Sequence, residues 1–286
     1  MAVTNGWGQG AVNNTIDWGK GKTTATNNWG KIYDSSASGD TTLASASTPF
    51  TNTYSVNFDG FNDLITMGNV LNTSDTAADA LSLSCWFKTS DSSTQILMAK
   101  QDKDSPFSGY SLAIVSSNKI YFNIGNYTGN KYIQLRTGAI SNLSNGNWHH
   151  IAVTYDGSRA ASGVNIYFDN SPLSLTIGNN QQPVNTQNTE HFMIGARGKG
   201  TAGDFALPFE GNIDEAAYFA TELSASDINT IYGTGNPSDI TSLNPVGWWR
   251  MGDNDDGTGS TVTDQGSGGN NGTLTNSPTF QEDVPN

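Results

Sequence analysis

The run Asn147-Trp148-His149-His150-Ile151-Ala152-Val153-Thr154-Tyr155-Asp156-Gly157, followed by Val164-Asn165-Ile166-Tyr167-Phe168-Asp169, decides the fold. Both segments are rich in β-branched and aromatic residues, and a short, polar, Gly-containing connector joins them. That combination specifies adjacent antiparallel strands. Side chains alternate along a strand, so His149, Ile151, Val153 and Tyr155 share one face and Trp148, His150, Ala152 and Thr154 the other. Apolar bulk on both faces predicts an interior strand of a two-layer β structure rather than an edge.

The composition agrees. Of 286 residues, 35% are hydrophobic and 14% charged, so uncharged polar groups must cover most of the surface. Gly, at 32 copies, supplies that polarity together with Asn, Ser and Thr. These are poor helix formers that favour turns. Further candidate strands are Leu64–Met67, Leu81–Lys88, Gln95–Lys100, Tyr110–Val115, Lys119–Ile124, Lys131–Arg136 and Glu190–Gly195. Turn signals such as Ser117-Asn118-Lys119, Thr128-Gly129-Asn130 and Asn145-Gly146-Asn147 separate them. Many short strands at this spacing predict an all-β antiparallel sandwich or barrel. One short helix is marked at Ala225–Tyr232, with Ser224 as N-cap and Asp227 completing a capping-box variant. Leu223 and Ile228 are placed as a hydrophobic staple, and Gly233 stops the helix.

Charge and cysteine usage exclude several classes. A net charge of −13 argues against a nucleic-acid partner and against adhesion to anionic membranes. Cys85 is the single cysteine, so neither an intrachain disulfide nor a cysteine metal site can form. Its strand-like setting, Leu83-Ser84-Cys85-Trp86, reads as a small buried hydrophobe. No apolar run is long enough to span a bilayer. Met1-Ala2-Val3-Thr4-Asn5-Gly6 lacks the features of a secretory signal, so synthesis in the cytoplasm is expected.

The chain divides into four stretches. Residues 1–36 hold three copies of T-x-x-W-G, with Trp7-Gly8, Trp18-Gly19 and Trp29-Gly30 each preceded at three residues by Thr4, Thr15 and Thr26. Polar residues between them cannot build a core, so the rings are expected to need a partner surface. Residues 37–53 read as a linker and residues 54–235 as the main body. In residues 236–286 apolar positions are too sparse for an independent domain, so this extension is expected to pack on the sandwich.

Several blocks of the body resemble one family. They are Phe58-Asp59-Gly60-Phe61-Asn62-Asp63, Leu83-Ser84-Cys85-Trp86-Phe87-Lys88, the opening pair of strands, Met193-Ile194-Gly195 and Phe209-Glu210-Gly211-Asn212-Ile213-Asp214-Glu215, then the helix beginning Leu223-Ser224. In order and spacing, residues 54 to 235 look like the laminin-G-like, concanavalin A-type lectin/glucanase superfamily. The resemblance implies a jelly roll of two curved antiparallel sheets. Relatives commonly open with a strand like Trp248-Trp249 and reach F-D-G through a turn like Asn270-Asn271-Gly272. Here that segment comes last, as in a circular permutation, and residues 246–280 are expected against the strand beginning at Tyr54. The whole chain also resembles virion proteins of tailed bacteriophages, which implies a head fibre, capsid decoration or tail appendage.

Candidate site residues divide by chemistry. His149 and His150 are neighbours on a strand, point to opposite faces and cannot chelate one ion, while His191 lies in another run; a hydrogen-bonded structural role is expected. Asp214 and Glu215 invite comparison with the superfamily's hydrolases, but retaining chemistry needs carboxyls about 5 Å apart. Asn212 and Ala216 stand where flanking carboxylates should be, and a regular strand turns Asp214 and Glu215 to opposite faces. The resemblance also implies a structural ion with oxygen donors near such turns, which makes Asp59, Asp63 and Asp214 candidate calcium ligands, with turn stabilisation as the alternative for the first two. Phe107, Tyr110, Tyr127 and Tyr132 lie in or beside loop-rich stretches where they could stack on sugars.

The reading that follows is a non-enzymatic virion protein without cofactor, metal site or catalytic residue. Trp7, Gly8, Trp18, Gly19, Trp29 and Gly30 attach it to other virion proteins as a homo-oligomer, and the sandwich faces outward toward host-surface glycans. The alternatives are a free carbohydrate-binding adhesin module and, behind it, a glycoside hydrolase.

Overall fold

The computed structural model describes residues 50–201 and 204–286. The chain divides into Met1–Phe50 and Thr51–Asn286, and the second unit is the body described below. The arm with Trp7, Trp18 and Trp29, and all of the expected linker except residues 50–53, lie outside the described residues. Residues 51–53 belong to the body: the backbone N–H of Thr53 donates to Asp253 at 2.8 Å, and Asn52 donates to Asp214 at 2.8 Å.

The strands, in chain order, are β1 (Ser55–Asp59), β2 (Leu64–Thr66), β3 (Leu81–Lys88), β4 (Gln95–Gln101), β5 (Gly109–Val115), β6 (Lys119–Asn126) and β7 (Lys131–Thr137). Next come β8 (Trp148–Tyr155), β9 (Val164–Phe168), β10 (Ser171–Pro172), β11 (Leu175–Asn180), β12 (Met193–Ile194), β13 (Arg197–Thr201), β14 (Asp204–Ala206) and β15 (Glu210–Phe219). Helix α1 (Ala225–Tyr232) follows, then β16 (Gly247–Trp249), β17 (Thr261–Val262), β18 (Gly272–Thr275) and β19 (Thr279–Gln281).

Two antiparallel sheets form the sandwich. The first runs β10-β9-β8-β3-β15-β1-β19, with β16 also paired to β15; the second runs β11-β7-β6-β5-β4-β12-β2-β18-β17. Strand β8 lies between β3 and β9, the interior place its two apolar faces require. Its Ile151, Val153 and Tyr155 join Leu83, Cys85 and Phe87 of β3 in one core with Phe122, Ile124 and Leu135 of the second sheet. Burying each such aliphatic or aromatic side chain contributes roughly 1.5–3 kcal/mol, which explains why the core can hold so many loops in place. Cys85 is wholly buried, and burial raises its thiol far out of the reactive range.

Helix α1 covers part of the outer face of the first sheet. Both bonds of its capping box are present, between Ser224 and Asp227, and Leu223 and Ile228 are buried as the staple. Tyr232 on its last turn stacks on Trp86 of β3 at 5.4 Å and 11°. One expected strand is shorter than its sequence suggests. Over Glu190–Gly195 only Met193 and Ile194 pair with neighbours, because Phe192 gives its N–H to the Gly68 carbonyl and His191 to the Gly198 carbonyl.

Residues 236–286 supply strands to both sheets. β19 pairs with β1 in the register Ser55↔Gln281, β18 pairs with β2, and β16 pairs with the far half of β15. β1 and β16 thus share one edge of β15, β1 along its first half and β16 along its second. Between them the ladder to β3 shifts register from Asp214 to Ala217, and Glu215 takes φ +46°. This is a β-bulge, and it removes the alternation on which the expected placement of Asp214 and Glu215 depended.

Candidate functional site

Strands β5, β6 and β7 turn Leu112, Ile114, Phe122, Ile124, Ile133 and Leu135 into the core. The alternate residues must therefore look outward, and strand register sorts them into rows. One row runs Ala99, Ser111, Asn123, Gln134 and Asn179 across five strands. Beside it runs Ala113, Tyr121, Arg136 and Thr176. On the other side lie Gln101, Gly109, Gly125 and Tyr132. Gly125 has φ +137°, and a Cβ there would stand 2.6 Å from that of Tyr132, so only glycine lets this tyrosine settle across the strand.

Loops bring further rings to these rows. Tyr127 follows β6 and stacks on Tyr132 at 3.9 Å and 9°, while Phe107 meets Tyr127 edge-on at 5.4 Å. Such ring pairs contribute about 0.5–1.5 kcal/mol beyond their buried area, which fixes the loops against the sheet. Arg197 of β13 lays its guanidinium 5.0 Å from the Phe107 ring centre and donates to Gln101 at 2.9 Å. Leu207, just past β14, packs against the group formed by Ile96, Ala99 and Ala113, giving the face a wall on that side.

The polar groups are held by one another. Ser111 donates to Asn123 Oδ1 at 2.5 Å, Gln134 donates to the Tyr121 hydroxyl at 2.7 Å, and the Tyr121 and Tyr127 hydroxyls lie 2.6 Å apart. Burial raises the Tyr121 phenol well above its ordinary range, so it remains a neutral hydroxyl. Ser111 and Asn123 are buried, whereas Tyr121, Tyr127, Tyr132 and Gln134 are half-buried, and their flat rings beside a fixed amide and hydroxyls match the two surfaces of a sugar: an apolar C–H face and a rim of hydroxyls. Among the described residues here, no nucleophile is paired with a base.

Sequence reasoning named Phe107, Tyr127 and Tyr132, and these three converge. It also named Tyr110, which does not belong. Tyr110 is 1% exposed, packs on Phe192 and Tyr218, and donates its hydroxyl to the Leu71 carbonyl at 2.8 Å. It shares the inward face of β5 with Leu112 and Ile114. Sequence reasoning missed Tyr121, Asn123, Gln134 and Arg197. Alternation within Lys119–Ile124 and Lys131–Arg136 carried the signal for the first three.

The other candidates are structural. His149 Nδ1 lies 2.7 Å from Asp169 Oδ2, and its ring stacks on Phe168. His150 Nε2 lies 2.8 Å from Ser84 Oγ, and burial pushes its pKa down to about 4, so it is neutral at pH 7. His191 Nδ1 lies 2.7 Å from Thr66 Oγ1. Asp214 and Glu215 are buried side by side rather than split between faces. Asp214 accepts from Asn52, and Glu215 accepts from Trp248 at 2.6 Å and Arg250 at 2.9 Å. At 0% and 5% exposure neither offers itself to a substrate. Asp59 Oδ1 accepts from the N–H groups of Phe61 and Asn62, and Asp63 Oδ2 accepts from that of Asp59, so both fasten one turn. Since Asp59 pairs with Glu210, Asp214 lies four residues along β15, about 13 Å away. The three aspartates cannot share an ion, and the described residues contain no other metal-ligating group of three.

No curated protein sequence matches the chain. Among solved structures, a Bacteroides ovatus protein named for carbohydrate binding is 18% identical with a TM-score of 0.58; the match covers 84% of this chain and 62% of that protein, less than two thirds of its length. A heptameric SAP-like pentraxin of Limulus polyphemus is 15% identical, with 63% of this chain and 82% of that chain covered and a TM-score of 0.45. The CBM40 of a Ruminococcus gnavus IT-sialidase, bound to α2,3-sialyllactose, is 16% identical, with coverages of 54% and 83% and a TM-score of 0.44. At such identities the likeness to the first is one of fold. The laminin G model of the concanavalin A-like lectin/glucanases superfamily matches residues 58–229, more than half of the sequence, and the chain belongs to that superfamily.

Proposed function

We propose that the body is a non-enzymatic glycan-binding module and that its saccharide lies on the outer face of β5, β6 and β7. One observation carries the reading: the half-buried Gln134 and the Tyr121 hydroxyl it bonds stand beside the stacked rings of Tyr127 and Tyr132, with Ser111 and Asn123 buried in the same cross-strand rows as a fixed support. Rings supply stacking area, amides supply direction, and rigid strands lower the ordering cost of binding. The name of one protein of similar fold, a Bacteroides ovatus protein named for carbohydrate binding, supports the same reading. Titration of the full chain on a glycan array, followed by calorimetry with the best hit, tests it. Tyr132→Ala and Gln134→Ala should each weaken binding about tenfold, equivalent to 1.4 kcal/mol, with melting little changed. Unaltered affinity in both variants would refute this location.

The setting we propose is a bacteriophage virion, with the sandwich displayed as an adhesin and the chain assembled as a homo-oligomer. The Thr-x-x-Trp-Gly repeats at Trp7, Trp18 and Trp29 support an anchoring arm, since evenly spaced rings in a polar segment suit docking on a repetitive surface. Deleting residues 1–36 should abolish incorporation into particles and leave the melting of the body unchanged. Normal incorporation would remove the arm's role and favour a free adhesin.

A further inference from the structure

The opposite face of the sandwich holds a cleft of about 360 Å³, within the range of small-ligand sites. Its floor is the outer surface of β1, β15 and the end of β3, where Asn57, Asn212 and Lys88 stand side by side in register. Asp59 and Glu210 pair at one end, and Ser90 with Gly146 closes another. Gly211 takes φ +126°, and a Cβ there would stand 2.1 Å from the Lys88 carbonyl, so the floor is pinned close to the neighbouring strand.

We propose that this cleft is a second saccharide site, for a neutral, hydroxyl-rich sugar, with Phe61 as its stacking ring. The proposal stands apart from the aromatic face on the other sheet. Phe61 is 77% exposed, yet its turn is tightly held. Its N–H donates to Asp59 at 2.8 Å, Gly60 donates to the Phe209 carbonyl at 3.1 Å, and Asn276 donates to the Asn62 carbonyl at 2.7 Å. The turn abuts Glu210, because a Cβ on Gly60 would stand 2.8 Å from the Glu210 Cβ. A solvent-facing ring carried on a turn whose backbone is held in place, beside a polar cleft, leaves only side-chain ordering to be met on binding, which suits a stacking platform.

The cleft also has hydrogen-bonding capacity to spare. Among the described residues the Glu210 carboxylate has no partner, and Asn57 uses only its Nδ2, bonded to Asn212 at 3.0 Å. Charge selects the sugar. Asp283 occupies Lys88 at 2.7 Å while also accepting from Trp148 Nε1 at 3.0 Å, so the single cation is neutralised and two carboxylates remain. Repulsion then disfavours sialylated or uronate-bearing glycans, whereas a carboxylate accepts readily from sugar hydroxyls.

The test uses the full chain with four probes: cellotetraose, mannotetraose and lacto-N-tetraose as neutral sugars, and 3′-sialyllactose as the anionic one. Phe61→Ala/Glu210→Gln changes two exposed side chains, so its melting curve should match that of the parent. At least one neutral probe should bind, and this double variant should weaken it about tenfold or more. Tyr127→Ala/Tyr132→Ala should leave that event unchanged. Any of three results would overturn the proposal: no neutral probe bound up to about 10 mM, binding indifferent to Phe61→Ala/Glu210→Gln, or 3′-sialyllactose bound at this cleft as tightly as the neutral probes. A neutral probe lost only in the tyrosine variant would sink the cleft and leave the aromatic face standing.

Discussion

Glu215 and Asp253 share one guanidinium, Arg250, which bonds each at 2.9 Å, and Asp214 lies within the field of both carboxyls. Burial raises the Asp214 carboxyl and the Glu215 charge raises it further; burial also pushes Glu215 up to about 7, against the pull of Arg250 and Trp248. Carboxyl groups raised in this way hold protons more tightly folded than unfolded. Their contribution to stability is complete below the ordinary carboxylate range and is lost as pH rises, for Glu215 through about 7. Neutral His150 acts in the opposite sense: its contribution is present above about 6.5 and is lost as pH falls toward about 4. Asp214→Asn separates the two. The new amide keeps an oxygen for the Glu215 N–H, and a half-turn of the Asn52 amide brings its Oδ1, buried without a partner among the described residues, to accept the new N–H. Melting above pH 7 should rise, by about 2–4 °C for each kcal/mol of repulsion relieved, while melting at pH 5 stays close to that of the parent. Melts between pH 5 and 9 check this, and equal losses at both ends would contradict it.

At the scale of elements, local chemistry was the most legible. Helix α1 was readable to the residue because Ser224, Asp227 and Gly233 act within a turn of where they sit. Ser224→Ala removes the bond to the Asp227 N–H and should cost about 1 kcal/mol, read as a shift in urea midpoint at constant slope. A destabilisation several times larger would mean the cap also holds Tyr232 on Trp86. Strand β8 was readable for a similar reason, since two apolar faces admit only an interior place. What escaped depended on pairings between segments. Tyr110 and Tyr132 both border loops, and only the phase of each strand separates them: Tyr110 alternates with Leu112 and Ile114 into the core, Tyr132 with Gln134 and Arg136 away from it. The aromatic face gathers residues from the β4–β5 loop, β6, β7 and β13, so it exists only once register is set. The bulge at Asp214 was hidden too, because no glycine or proline marks residues 214–216.

The molecule as a whole carries its order of strands as a consequence of where chain ends fall. β19 runs antiparallel beside β1, so Gln281 lies opposite Ser55, and the Ser55 hydroxyl donates to the Asp283 carbonyl at 2.7 Å. The start and finish of the body are therefore neighbours, and joining them closes only a short loop, at small entropic cost. The stretch between α1 and β16, by contrast, has an exposed position at Asn236 where a chain can be opened. A permuted chain running 237–286, a Gly/Ser linker of about five residues, then 51–236 preserves every strand pairing in both sheets. It should fold cooperatively, with a β-type circular dichroism spectrum and a melting temperature within about 5 °C of the unpermuted body. Simply ending the chain at residue 245 removes β16, β17, β18 and β19 and takes Trp249, Met251 and Val262 out of the core, so that truncation should not fold. If the permuted chain fails while the truncation folds, residues 246–286 are dispensable and the sandwich is complete without them.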